Sequence, residues 1–273
     1  MPGARAGTVK TLGEHLKRDR SERFGAAGRV GSATVPRRPT FSSRWLTAAT
    51  WPVGVMLTSW DYMWRSTPLH RGEVLEPGAV GHTAPVFPDG VDATEVIGPD
   101  HGRGPLFHRR YRTRIRNAEV SGEELFARLK ANLNRAAPTK FARFQKVLGE
   151  SDALAPGDEY VVRMPGPWDG PVRVVEAGER SFRLATLAGH LEAGQIEFRV
   201  IEDPDGLMAF EIESWTRSAD RLSHLLYHQV RMAKEIQAHM WISFLEGVVS
   251  ISGGRMTGGV QIDTRRVENL AEA

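Results

Sequence analysis

At 273 residues the chain can bury a sizeable core in one large domain or two small ones, and 41% hydrophobic with 25% charged residues is a globular composition. It has no cysteine, which excludes disulfides, thiolate zinc sites, iron–sulfur clusters and a cysteine nucleophile, and fits a reducing, cytoplasmic setting. The formal charge of +3 sits at one end: nine Lys or Arg against three Asp or Glu precede residue 41, so the remainder is net acidic.

Residues 1–40 are rich in Gly, Ala, Arg, Ser and Pro without a sustained apolar period, and read as a disordered basic arm. No aromatic residues interleave with its charges, so it is expected to be a solvated tail and not a specific nucleic-acid arm. No apolar stretch follows the early basic residues, which argues against a secretory signal. Residues 41–66 hold four tryptophans between Trp45 and Trp64. Their uncharged core is shorter than the roughly 20 apolar residues of a membrane span and contains Pro52 and Gly54. It reads as a helix docked on the domain, with peripheral membrane contact through the tryptophans as the competing reading. Residues 67–105 carry Pro, Gly and Asp without periodicity, as in a linker or a wrapping loop.

From Leu106 the pattern is that of a folded domain, expected over 106–253, with 254–273 as a flexible tail. Residues 106–120 alternate, Tyr111, Thr113 and Ile115 opposing Arg112, Arg114 and Arg116. Ser121 and Glu124 form a capping box ahead of Leu125, Phe126, Leu129 and Leu133, on a helix closed by Pro138. Lys140–Gly149 fits a short helix or the start of a sheet. Five strand patterns follow, at 159–164, 172–176, 182–186, 195–202 and 207–217, separated by Gly, Pro or Asp turns. They predict an antiparallel meander with Tyr160, Val162, Val172, Val174, Phe182, Leu184, Ile196, Phe198, Val200, Phe210 and Ile212 on apolar faces. Glu197, Glu211 and Glu213 take the opposite parity, where Arg173, Arg183 and Arg199 can pair with them.

Ala219 to Ser252 reads as one long amphipathic helix. Leu222, Leu225, Leu226, Val230, Ala233, Ile236, Met240, Phe244 and Val248 share a side, Ser218 is placed to cap its start, and Gly253-Gly254 ends it. Strand, helix, meander and terminal helix is the order of an α+β fold in which a curved antiparallel sheet wraps a long C-terminal helix, the helix-grip architecture.

The segments Gly166–Val175 (GPWDGPVRVV), Thr186–Phe198 (Thr-Leu-x-Gly-His-x-Glu-x-Gly-x-x-x-Phe) and Glu211–Ser218 resemble a bacterial and plant family known only as a domain of unknown function. That family resembles in turn the START and birch-pollen-allergen helix-grip superfamily. The resemblance implies the fold and an apolar small-molecule ligand, and it brings no reaction with it.

His190 and Glu192, flanked by Gly189 and Gly194, are the best candidate catalytic pair: a tight connection could bring imidazole and carboxylate together at a cavity mouth. The structural alternative is a turn locked by histidine-to-backbone hydrogen bonds. Trp168, Tyr160, Phe182, Leu184, Phe198, Phe210 and Met240 are the candidate ligand-lining residues, Trp168 at the mouth. His224 and His228, four apart on the helix, read as part of a solvated polar stripe, and no metal site is specified. There is no phosphate-binding loop, dinucleotide fingerprint, His-Glu-x-x-His or Gly-x-Ser-x-Gly motif, and no cofactor is expected. The leading expectation is binding of an apolar or amphipathic small molecule between sheet and helix. A cavity enzyme of cyclase, dehydratase or hydrolase type using His190 and Glu192 is the alternative, and a membrane-associated adaptor the third reading.

Overall fold

The structure, a computed structural model, describes residues 67–77, 83–92, 94–140, 142–149, 153–164, 169–219 and 231–268. The basic arm, the Trp45 to Trp64 segment, Trp168, and the helix positions from Leu222 to Val230 with His224 and His228 lie outside them.

Among the described residues ten strands form one sheet. They are β1 (Leu69–Pro77), β2 (Val96–Ile97), β3 (Arg103–Arg116), β4 (Arg143–Leu148), β5 (Glu159–Arg163), β6 (Gly170–Ala177), β7 (Ser181–Leu187), β8 (Glu192–Glu202), β9 (Met208–Ser218) and β10 (Arg255–Glu268). Helix α1 (Gly122–Ala131) lies between β3 and β4, and α2 (Arg231–Ser252) between β9 and β10. The strand order is β1-β10-β3-β9-β8-β7-β6-β5-β4, with β2 paired to β7. All pairings are antiparallel except β1 with β10.

The expected meander is present as β5 to β9, and its parity decides what the core contains. Phe182, Leu184, Phe198, Val200, Phe210 and Ile212 share one face and are buried together with Met240, Trp241, Phe244, Leu245 and Val248 of α2. Burying such side chains is worth about 1.5–3 kcal/mol each, so this face and the helix hold one another. Ser121 caps α1 as expected, its hydroxyl accepting from the Glu124 N–H at 3.2 Å. Gly253 ends α2 at φ +70, a backbone conformation that suits glycine.

Four expectations need correction. Residues 254–273 are not simply a tail: β10 returns along β3, burying Val260 and Ile262. Gly258 and Gly259 form the irregularity in that pairing at φ +74 and +76, and a Cβ on Gly259 would stand 2.2 Å from the Pro68 carbonyl oxygen. Glycine there serves close backbone approach. Residues 67–105 likewise carry β1 and β2 and the start of β3. Between them, residues near Pro85 and Val86 lie over the outer face of the sheet, where their carbonyls accept from Gln195 and Arg183. Ser218 is the last residue of β9 and Ala219 bends away from it, so the helix does not begin there. Leu133 lies beyond α1 in a separate 3-10 turn, because Asn132 caps that turn and ends the helix well before Pro138.

The outer face carries a charge network centred on Glu213. His108 Nε2 approaches its carboxylate to 2.6 Å, Arg110 donates at 2.9 Å, and Arg199 bridges Glu213 and Glu211. Arg199 therefore pairs as expected, whereas Arg183 reaches Glu176 and Arg173 reaches Glu159 and Glu95. Burial pushes the Glu213 carboxyl up, but the hydrogen bonds from His108 and Arg110 and the charges of Arg199 and Arg110 outweigh it and hold its pKa at about 2, against 4.5 ordinarily. A carboxyl depressed in the folded state contributes stability that is present above its unfolded pKa and is lost as pH falls toward the folded value. The stability advantage of the wild-type over Glu213→Gln is therefore expected to shrink between pH 4.5 and about 2. Denaturant titrations of both proteins across that range check it; parallel pH profiles would mean the network contributes nothing through this group.

Candidate functional site

The inward surface has two chemically different ends. Where α1 closes over the sheet, rings fill the space. Phe182 stacks on Phe198 with centroids 4.6 Å apart, Phe126 on Phe210 at 5.5 Å, and Phe244 lies 5.4 Å from Phe198. Phe182, Leu184, Phe198 and Phe210 are thus among the most deeply buried side chains, packed mainly against one another and the helices. Tyr160 and Met240 are buried in the same cluster, Tyr160 with the Lys146 ammonium 5.4 Å from its ring centroid.

Toward the first described turns of α2 the surface becomes polar. Arg109 has the parity of Tyr111 and Thr113, so it points to the helix and not to the charged outer face. Only 4% of it is exposed. Its Nη1 donates to Gln237 Oε1 at 3.0 Å and lies 3.7 Å from the Glu192 carboxylate, while Gln237 Nε2 donates to that carboxylate at 3.0 Å. The Arg109 guanidinium also lies 4.7 Å from the Phe107 ring centroid. Strands β3 and β8, on either side of β9, and α2 thereby meet in a triad whose Arg109 and Glu192 are buried and whose Gln237 is partly exposed.

Between the two ends stands the row of Ile196. It pairs with Leu184 on β7 and Ser214 on β9, both buried, yet Ile196 itself stays partly exposed. Its position on the inward face is bracketed along α2. Gln237 bonds to Glu192 on one side, and Trp241, one turn later, packs edge-on against Phe198 at 5.5 Å on the other. The next inward row pairs Gly194 with Thr216, and a Cβ on Gly194 would stand 2.0 Å from the Trp215 carbonyl oxygen, so glycine serves close approach of the strands there. Thr216 Oγ1 and Trp241 Nε1 are both buried without a hydrogen-bond partner.

His190 lies in the connection between β7 and β8, as expected, but its ring turns to the backbone. The Glu192 N–H donates to Nδ1 at 2.9 Å. Nδ1 also lies 3.0 Å from the Glu192 carbonyl oxygen, so either tautomer ties the ring to this backbone, and burial pushes the imidazole pKa below its ordinary value against the Glu192 charge and backbone bond. Its Nε2 stands 3.0 Å from where a Cβ on Gly170 would lie, which explains glycine at that position. The side chains of His190 and Glu192 are directed by these bonds to different partners: the imidazole locks the turn, and the carboxylate joins Arg109 and Gln237. A base held by an orienting group requires a hydrogen bond between the two side chains, and the contacts here do not supply it. Among the described residues no three His, Asp or Glu side chains gather as a metal site, and no helix is long and apolar enough to cross a membrane.

Arg109, Gln237, Thr216 and Trp241 were not among the residues singled out from the sequence. Arg109 was detectable, being a charged residue on the apolar parity of its strand. The others needed the pairing register and the helix phase.

A large curved antiparallel sheet gripping a helix, with α1 inserted after its first central strand, defines a protein of helix-grip topology. The chain belongs to the family described as Domain of unknown function (DUF1990), whose model matches residues 92–244. Among curated proteins none matches. Similar solved structures include norcoclaurine synthase from Thalictrum flavum in complex with dopamine and hydroxybenzaldehyde, at 9% identity over 62% of this chain and 98% of that one, TM-score 0.37. A hypothetical protein from Helicobacter pylori matches at 9% identity over 52% of this chain and 86% of that one, TM-score 0.39. Ara h 8.0201 matches at 12% over 51% and 99%, TM-score 0.31. Similarity at this level adds nothing to the topology described above, and fold alone does not carry function.

Proposed function

We propose that the protein binds a small amphipathic molecule between the sheet and α2, its apolar part over Ile196 and its polar part toward Arg109, Glu192 and Gln237. The observation that carries this is the partial exposure of Ile196 on an inward face whose strand neighbours Leu184 and Ser214 are buried. A sheet and helix in full contact would cover that side chain. Pockets of this kind are mostly apolar with a few placed polar groups, and both components are present at this row. Trp168, proposed at the mouth, precedes Gly170, on which His190 packs.

Nile red added to the full chain is expected to gain fluorescence with saturation at one site. Ile196→Phe, which fills the gap from the sheet side, should weaken that binding about tenfold or more, given the usual cost of overpacking. Absence of Nile red binding to folded protein, or binding indifferent to Ile196→Phe, would remove the basis for the reading. Binding that Ile196→Phe weakens, accompanied by conversion of a bound carbonyl compound, would instead favour a cavity enzyme.

A further inference from the structure

We infer that the interior site selects an uncharged oxygen acceptor, a carbonyl on a largely apolar molecule, and that the indole N–H of Trp241 is the donor that takes it. This rests on the reading of the Ile196 row as a binding site and names the ligand chemistry that row accepts.

Two buried polar groups are orphaned. Trp241 is 6% exposed and Thr216 5%, and neither the indole nitrogen nor the hydroxyl has a partner, although buried polar atoms are nearly always paired. Both lie on the surfaces that bracket Ile196: Trp241 on α2 against Phe198, Thr216 on β9 opposite the side-chain-free Gly194. Trp241 can only donate, and Thr216 can donate or accept. The complementary ligand atom is therefore an acceptor oxygen, and a hydrocarbon would leave the N–H as it is.

Charge then decides between a neutral acceptor and a carboxylate. The guanidinium of Arg109 is already matched by Glu192, 3.7 Å away, with Gln237 bonded to both. A carboxylate entering here would sit close to the buried Glu192 carboxylate, and two desolvated anions side by side are costly. A ketone or quinone oxygen brings no such charge. Trp241→Phe keeps an aromatic ring beside Phe198 and Phe244 but removes part of the wall with the N–H, whereas Thr216→Val removes the hydroxyl alone, so the comparison is read as the ratio of fluorenone to fluorene within each protein.

Three matched compounds separate these contributions on the full chain: 9-fluorenone, fluorene and fluorene-9-carboxylate, each titrated by displacement of Nile red. Wild-type protein is expected to bind fluorenone about 3- to 10-fold more tightly than fluorene, the yield of one net hydrogen bond, and the carboxylate most weakly. Trp241→Phe should bring fluorenone down to the affinity of fluorene measured in the same variant, with a lower Tm from the smaller ring. Thr216→Val, which keeps the side-chain shape, provides a second variant with the same selective loss should Trp241→Phe fold poorly. Equal weakening of fluorenone and fluorene by both variants would mean that only packing was lost, and no weakening by either that the orphaned groups hold interior water. Either result, a carboxylate that binds tightest, or fluorene as tight as fluorenone in the wild-type, overturns the inference while leaving interior binding in place. If none of the three binds folded wild-type protein, the inference and the binding site fall together.

Discussion

Phe198→Ala should lower the stability of the protein by about 3–5 kcal/mol, the range for truncating a buried aromatic to alanine. Phe198 is fully buried at the centre of the sheet, and its ring meets Phe182 at 4.6 Å, Phe244 at 5.4 Å and Trp241 at 5.5 Å. Its ring touches side chains of β7 and α2 from β8, so the cavity left by alanine has rings on several sides and limited freedom to collapse. Guanidinium unfolding reads the effect as a lower midpoint at unchanged slope. Val86→Ala, at a side chain 89% exposed, is the matched control and should change stability by less than about 0.5 kcal/mol. A loss below about 1 kcal/mol at Phe198 would mean that α2 does not seat on the sheet as described.

The stretch in which Phe198 sits was legible because its signals are local. Period-two alternation through 195–202 and 207–217 puts Phe198, Val200, Phe210 and Ile212 on one face, and that parity is the observed one. The capping of α1 by Ser121 and the end of α2 at Gly253 were equally local. Strands β1 and β10 were not legible in this way. Their pairing joins residues nearly two hundred apart, Leu69 with Val260 for example, and the paired glycines 258 and 259 look like flexibility until Pro68 is seen beside them. A short apolar pattern such as Val260 and Ile262 among polar residues commits to a strand only when an edge is available, and β3 supplies that edge.

The candidate site was legible by half. Gly189 and Gly194 marked the connection that carries His190 and Glu192, and the structural alternative of a histidine-locked turn matches the bond from the Glu192 N–H to Nδ1. What the spacing of the two residues could not reveal is that neighbouring side chains of a turn and a strand start can leave on separate errands. His190 meets Gly170, and Glu192 has the inward parity of Ile196, which leads it to Arg109 and Gln237. Arg109 was obscured by its company: among Arg110, Arg112, Arg114 and Arg116 it looks like one more member of a charged face, and only counting by twos from Tyr111 separates it.

That parity makes Arg109 the residue whose loss should be felt most after the aromatic core. Arg109→Met removes the guanidinium beside the Glu192 carboxylate, which is 9% exposed and keeps its bond from Gln237. Removing one partner of a buried ion pair typically costs about 3–5 kcal/mol, because the remaining charge stays desolvated. Glu192→Gln removes the carboxylate beside the buried Arg109 and should cost a comparable amount. The double replacement Arg109→Met with Glu192→Gln removes both charges while keeping similar volumes and an oxygen at 192 to accept from Gln237, so it should recover most of either loss. The coupling between the two positions is then the quantity to measure, by unfolding the wild-type, both single variants and the double variant under one set of conditions. Additive losses would mean that the two groups are solvated separately and that the polar end of the interior is open to water. A strong coupling would mean a closed, charge-balanced wall, the condition under which a neutral oxygen is preferred over an anion at the Ile196 row.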